Sequence, residues 1–286
     1  MNVRSVRARL LAWTRWVIAA GLIVALSGCA SPKAPSFPLV ASPGGAVAER
    51  VVLLHGLGRS ARAMRRLAAR FDEAGFVSTA IGYDSTSQTL DEIVSELDLA
   101  LQRCCADEAR VNFVTHSLGG LVLRAWVARE GEERVARVVM LSPPNRGTAW
   151  VDRLGPFAAW LGPTGSQLGT KADSVPQRLN ALGPVRFELG VIAGESRFNW
   201  LGSWVLPGPD DGTVAVESTR VDGMQDFLVL PVSHSFMIYD KQVARQAIHF
   251  IATGRFEGTP GAEPVGGSAS SPRPRLSLED RDRVDG

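Results

Sequence analysis

Little in these 286 residues points to a staple, a metal or a cofactor. Of the three cysteines, Cys104 and Cys105 are adjacent, so no disulfide framework exists and stability must come from a core. Neighbouring cysteines rarely satisfy disulfide geometry, and this pair is expected to fill space near a helix end. With four histidines, no His-Glu-x-x-His and no Cys-x-x-Cys, metal-ligand spacing is missing. Neither Gly-x-x-x-x-Gly-Lys-Ser/Thr nor a Gly-x-Gly-x-x-Gly after a strand is present to hold a nucleotide, so the sequence predicts no metal and no cofactor. Charge of one sign is also lacking: Lys+Arg 31 against Asp+Glu 29, without a Lys/Arg cluster, argues against a nucleic-acid partner. Long apolar runs are scarce, the run Trp16 to Leu26 being too short for a comfortable membrane span. What is present, 45% hydrophobic and 21% charged residues, is the composition of a globular protein with a sizeable core, not of a disordered chain or a fibre.

No acidic residue precedes Glu49, whereas Arg4, Arg7, Arg9 and Arg15 crowd the start ahead of the apolar run. A charged start followed by a short apolar stretch predicts a secretory signal over 1–28. The segment Leu26-Ser27-Gly28-Cys29 resembles the lipobox of bacterial lipoproteins. That resemblance implies lipidation of Cys29, cleavage before it, and a bacterial envelope protein held to a membrane by acyl chains. Ala30 after the Cys implies the periplasmic face of the outer membrane. Removal of the four signal arginines would leave the mature chain slightly acidic. Residues 29–49, rich in Pro, Ser, Gly and Ala, read as a flexible tether, and 257–286 as a disordered tail with too little apolar surface to offset ordering. One folded domain over 50–256 remains.

Within it, apolar runs alternate with helical stripes. Strands are predicted at Val51–Leu54, Phe76–Ile81, Arg110–Thr115, Val135–Leu141, Phe187–Ala193 and Phe227–Leu230. Helices are predicted around Met64 to Phe71, after a Thr89-x-x-Glu92 capping box, from Leu118 to Arg129, and from Tyr239 to Ile251. Near-continuous apolar strands separated by helices argue for a mostly parallel sheet covered on both faces. The Gly- and Pro-rich stretch 143–184 breaks the alternation and is a candidate cap.

Chemistry concentrates at Thr115-His116-Ser117-Leu118-Gly119-Gly120, between a predicted strand and a predicted helix. A Ser on so sharp a turn projects its hydroxyl above the sheet, and the next amide opens a helix. This segment looks like the nucleophile elbow of α/β-hydrolases. With Leu54-His55-Gly56-Leu57-Gly58 after the first strand it is similar to bacterial lipases and related esterases. The resemblance implies the α/β-hydrolase fold, Ser117 as nucleophile, and an oxyanion hole formed by the amides of Leu57 and Leu118. Thr115 stands where the family has Gly, a crowded position where Thr needs more room.

The family's order of Ser, acid, His then places the partners. His55 belongs to the oxyanion strand end, His116 adjoins the nucleophile and His249 lies in the last helix, which leaves His234 as base. Pro209-Asp210-Asp211-Gly212-Thr213-Val214 resembles the lipase Asp-Gly-x-Val segment, which selects Asp211, with Asp210 as alternative acid. A turn in which both carboxylates merely bond backbone amides is the bland alternative. Ser142-Pro143-Pro144-Asn145-Arg146-Gly147-Thr148 is similar to the lipase Pro-x-x-Gly-Ser/Thr segment. Trp150, Phe157, Trp160, Trp200 and Trp204 flank the expected site, either as core or as an apolar acyl cleft beneath a lid.

The expected function is hydrolysis of carboxylic, lipid or acyl, esters through an acyl-enzyme. The alternatives are an acyltransferase or thioesterase on the same triad, or a catalytically silent envelope lipoprotein that only binds. The expected partners are an acyl ester and a membrane engaged through the anchor.

Overall fold

The computed structural model describes residues 48–196 and 205–258. The expected signal, Cys29, nearly all of the tether and the tail from residue 259 lie outside the described residues, as do Trp200 and Trp204.

Six strands form one sheet: β1 (Arg50–Leu54), β2 (Val77–Ile81), β3 (Val111–His116), β4 (Val135–Leu141), β5 (Glu188–Gly194) and β6 (Asp226–Leu230). Their order is β2-β1-β3-β4-β5-β6 and every pairing is parallel. The helices are α1 (Ala61–Glu73), α2 (Leu90–Cys105), α3 (Leu118–Glu130), α4 (Ala149–Leu154), α5 (Gly162–Gly165), α6 (Val175–Asn180) and α7 (Lys241–Thr253). Strand β1 has β2 on one side and β3 on the other, so the chain reverses its winding there. In open parallel sheets ligands bind at the carboxyl ends of strands beside such a switch point.

The period-two geometry of a strand sends alternate side chains to opposite faces, and here both faces are dry. Val52, Leu54, Phe113, Val138, Met140, Leu189 and Val191 form one cluster with α2 and α3. Val51, Leu53, Val114, Val139 and Ile192 are equally buried on the other face, where α1 and α7 pack together. Arg70 of α1 donates to the carbonyls of Tyr239 and Asp240, at 2.9 and 2.6 Å, and so pins the start of α7.

The capping box forms as expected: Thr89 Oγ1 accepts from the Glu92 amide and the Glu92 carboxylate accepts from the Thr89 amide. The last helix begins later than Tyr239 because Asp240 caps it, accepting from the Gln242 and Val243 amides. Cys104 and Cys105 require a correction, since their sulfurs are bonded to each other at the end of α2. The expectation rested on a Cα separation, 3.8 Å here, shorter than most disulfides span. The last turn of the helix nevertheless brings both side chains together, with Cys105 buried against the core.

Candidate active site

Ser117 sits between β3 and α3 with φ 54° and ψ −122°, a backbone region that costs a non-glycine residue about 1–3 kcal/mol. The surroundings enforce it. The Ser117 amide donates to the Leu141 carbonyl of β4 at 2.9 Å, and glycines admit the tight approach of neighbouring chains. A Cβ on Gly119 would lie 2.8 Å from the carbonyl oxygens of Leu54 and His55, and one on Gly56 would lie 2.9 Å from Ser117 Cβ. Only glycine at these positions lets the His55–Leu57 turn lie against the Ser117 elbow. Thr115 fits the crowded place because Gly120 faces it, and its hydroxyl is left buried without a partner.

Ser117 Oγ lies 3.0 Å from His234 Nε2, and His234 Nδ1 lies 2.7 Å from Asp211 Oδ2. His234 follows β6, and its own amide donates to the Asp211 carbonyl at 3.0 Å, so the two loops hold each other. The other Asp211 oxygen accepts from the Thr213 and Val214 amides at 2.9 and 2.8 Å. Burial by itself would raise the Asp211 carboxyl; the His234 charge, the His234 hydrogen bond and the Val214 and Ser142 donors outweigh it and hold the group below its ordinary value. Asp210 is turned elsewhere, accepting from the Gly212 amide at 2.7 Å and pairing with Ala215. Of the two candidate acids, Asp211 is the one brought to His234.

Leu57 lines the same cleft as Ser117, and Leu118 follows Ser117 at the start of α3. Among the described residues, neither backbone amide has a turn or loop carbonyl as partner. His55 fixes the first of these segments: its Nδ1 donates to the Gly56 carbonyl at 2.9 Å and its Nε2 accepts from the Tyr83 amide at 3.3 Å. Tyr83 stacks on the ring and donates through its hydroxyl to the His55 carbonyl.

Two residues escape a sequence reading. Ser142, just past β4, has φ 41°, accepts from the Gly194 amide at 3.1 Å and donates to the Asp211 carboxylate. His116 reaches under the site, its Nε2 at 3.0 Å from the His234 carbonyl. A carbonyl only accepts, so Nε2 carries the proton and Nδ1 is left buried and unpartnered. Burial above all, then the neighbouring His234 charge, pushes His116 down to about 3. A neutral His116 adds no repulsion when His234 takes up a proton.

His116, Ser117 and His234 line a cleft of about 390 Å³ whose apolar walls include Leu57, Trp150, Val151, Leu154, Leu161 and Leu168. The stretch 143–184 supplies most of that wall. Thr148 Oγ1 and Trp150 Nε1 tie it to the carbonyls of Thr213 and Gly212, at 2.6 and 3.1 Å, and Thr164 Oγ1 ties it to the Gln88 carbonyl at 2.9 Å. The aromatics divide: Trp150 lines the cleft, whereas Phe157 and Trp160 point outward, 60% and 84% exposed.

A family model for palmitoyl protein thioesterases matches residues 50–178, just under half of the chain. No curated protein sequence matches it significantly. Among solved structures, phospholipase PlaB from Legionella pneumophila is similar at a TM-score of 0.59 and 20% identity, over 72% of this chain and 58% of that one. A Bacillus licheniformis lipase in its mature form is similar at a TM-score of 0.54 and 18% identity, over 74% and 90% of the two chains. A monoacylglycerol lipase from Paleococcus ferrophilus follows at 0.51 and 13%, over 72% and 94%. The chain has the α/β-hydrolase fold. At these identities the likeness carries the fold alone, and the chain spans only 58% of the phospholipase. The thioesterase match ends before β5, so it covers the Leu57 turn and Ser117 but neither Asp211 nor His234.

Proposed function

We propose that this protein is a serine hydrolase of acyl esters, with Ser117 as nucleophile, His234 as base and Asp211 as orienting acid. The observation that carries the reading is the relay of 3.0 and 2.7 Å contacts from Ser117 through His234 to Asp211, with Ser117 and His234 lining an apolar cleft. As Ser117 Oγ bonds to the acyl carbon, its proton passes to His234 Nε2, and the amides of Leu57 and Leu118 hold the developing oxyanion. His234 returns the proton to the departing alkoxide. Water then attacks the acyl-enzyme, giving its proton to His234, and the freed carboxylic acid leaves as Ser117 recovers its own. Asp211 stays ionised throughout and holds the imidazole with Nδ1 protonated.

Ser117→Ala should lower p-nitrophenyl butyrate turnover by at least about 10⁴-fold with an unchanged circular dichroism spectrum. Retention of turnover would remove Ser117 from the reaction. The palmitoyl protein thioesterase match favours a second substrate, an acyl thioester, processed by the same steps with a thiolate leaving. Comparing one acyl chain as oxygen ester and as thioester separates the two. The Leu26–Cys29 segment further supports lipidation at Cys29 and an envelope location, which globomycin-sensitive processing tests.

A further inference from the structure

Beside the catalytic cleft lies a wider groove of about 930 Å³, lined by Arg59, Arg62, Arg65 and Arg66 and bounded by Phe236 and Tyr239. This corrects the expectation that the chain has no Lys/Arg cluster. The four fall within eight residues of sequence, Arg59 just before α1 and the others within it, where the helical period puts Arg62, Arg65 and Arg66 on one side. All four are exposed, and among the described residues none has an ion pair. Arg66 lies over the Tyr239 ring, 5.8 Å from its centroid. Among the described residues no acidic side chain lines the groove, and none stands in the first turn of α1. Like charges three and four residues apart oppose a helix, so apart from the Arg66–Tyr239 contact the arrangement does not favour the fold. The groove and the cleft share a wall: Arg59 lines both, and Ser235 in the cleft is followed by Phe236 in the groove. The Arg59 charge also acts on His116.

We infer that this groove receives the phosphate of the substrate, so that the ester cleaved at Ser117 belongs to the phospholipid class. The inference rests on the esterase reading above. Guanidinium groups bind phosphate oxygens in paired hydrogen bonds, and several of them around one open groove match a group with several charged oxygens. The acyl chain lies along Leu154, Leu161 and Leu168 in the cleft, and the phosphate on Arg62, Arg65 and Arg66. Phe236, 68% exposed, gives the groove an apolar rim for the part of the substrate between them.

Monomeric dihexanoyl phosphatidic acid and uncharged dihexanoylglycerol carry the same acyl ester and differ in the phosphate. Wild-type protein should show a KM at least about tenfold lower for the former, and Arg62→Gln/Arg65→Gln should erase that advantage while moving the dihexanoylglycerol constants less than about twofold. Glutamine keeps the exposed helix positions favourable, and circular dichroism checks the fold. An advantage that survives the double substitution overturns the inference. So does a defect seen only on anionic vesicles, which assigns the groove to a membrane surface. Competitive inhibition by inorganic phosphate without any ester preference assigns it to free phosphate and also overturns the inference. Calorimetry of dihexanoyl phosphatidic acid binding to Ser117→Ala, with and without the two arginine substitutions, reads the groove without turnover. A protein that turns over neither ester but binds the phosphate ester through the arginines therefore loses the esterase reading alone.

Discussion

At Ser117 the backbone is held where a side chain does not want it, at φ 54°, and the strain has a measurable sign. Ser117→Gly removes the strain and Ser117→Ala keeps it, while both remove the hydroxyl. The glycine variant should be about 1 kcal/mol the more stable of the two in urea unfolding, with both inactive. A glycine variant less stable than the alanine one would mean that the elbow is unstrained. His116 offers a second test, through pH. Its folded-state value, about 3, lies below the ordinary 6.5, so between those values the unfolded chain binds a proton that the folded chain refuses. Stability therefore falls as pH drops from 6.5 toward 3, by at most about 1.4 kcal/mol per pH unit from this group. His55, lowered by burial, and Asp211, also lowered, act in the same direction. In His116→Gln an amide N–H can still reach the His234 carbonyl and nothing titrates. The wild type should lose about 2 kcal/mol more than this variant between pH 7 and pH 5 in urea titrations. Equal losses would show that His116 is not the group that refuses the proton.

Among the elements, those the sequence announced best are the ones whose burial leaves a simple pattern. Strands β1, β3, β4 and β5 are dry on both faces, and their apolar runs mark them within a residue or two. Helix α1 is striped and reads as such. Helix α3 is not: Leu118 to Leu123 are all buried, so its periodicity conveys nothing about Arg124, which in sequence looks like an exposed charge. The structure buries Arg124 with the carbonyl oxygens of the Asn145 and Asn180 side chains, 3.1 and 2.9 Å away, tying α3 to both ends of the cap stretch. Burial moves its guanidinium down to about 10. Replacing it with Met leaves the buried Asn145 acceptor and the half-buried Asn180 acceptor without it and should cost about 2–3 kcal/mol, measured as a lower urea midpoint. An unchanged midpoint would mean the cap does not depend on this contact. The site divides in the same way. Ser117, Asp211 and His234 stand in local motifs at strand ends and are legible in order. Ser142 and His116 act through contacts with segments distant in sequence, which no local pattern encodes. The outward turn of Phe157 and Trp160 likewise depends on how short helices are seated, whereas the four arginines stand within eight residues and their grouping is open to a sequence reading.

For the molecule as a whole, the question is whether the part resembling thioesterases can stand without the rest. Residues 50–178 include β1 to β4 and Ser117, but the sheet then ends at β4. Strand β5 pairs with β4 from Arg137 through Leu141, and its loss would expose a long apolar edge. Helix α7 would go too, and with it the burial of Val243, Ile248, Phe250 and Ile251 against the face it shares with α1. At about 1.5–3 kcal/mol for each large apolar side chain, those four contribute about 6–12 kcal/mol. A whole domain has a net stability of only about 5–15 kcal/mol, so the deficit is as large as the margin. A chain stopped after Leu182 should therefore be recovered as aggregate, without a cooperative thermal transition, whether or not Ser117 is intact. A soluble fragment with a sharp transition would show that β5, β6 and α7 are an addition to a self-sufficient core. The predicted failure gives the distant half a structural role beside the chemical one proposed for it. The same segments that bring Asp211 and His234 to Ser117 also close the sheet on which Ser117 is strained, so the site and the fold are completed together.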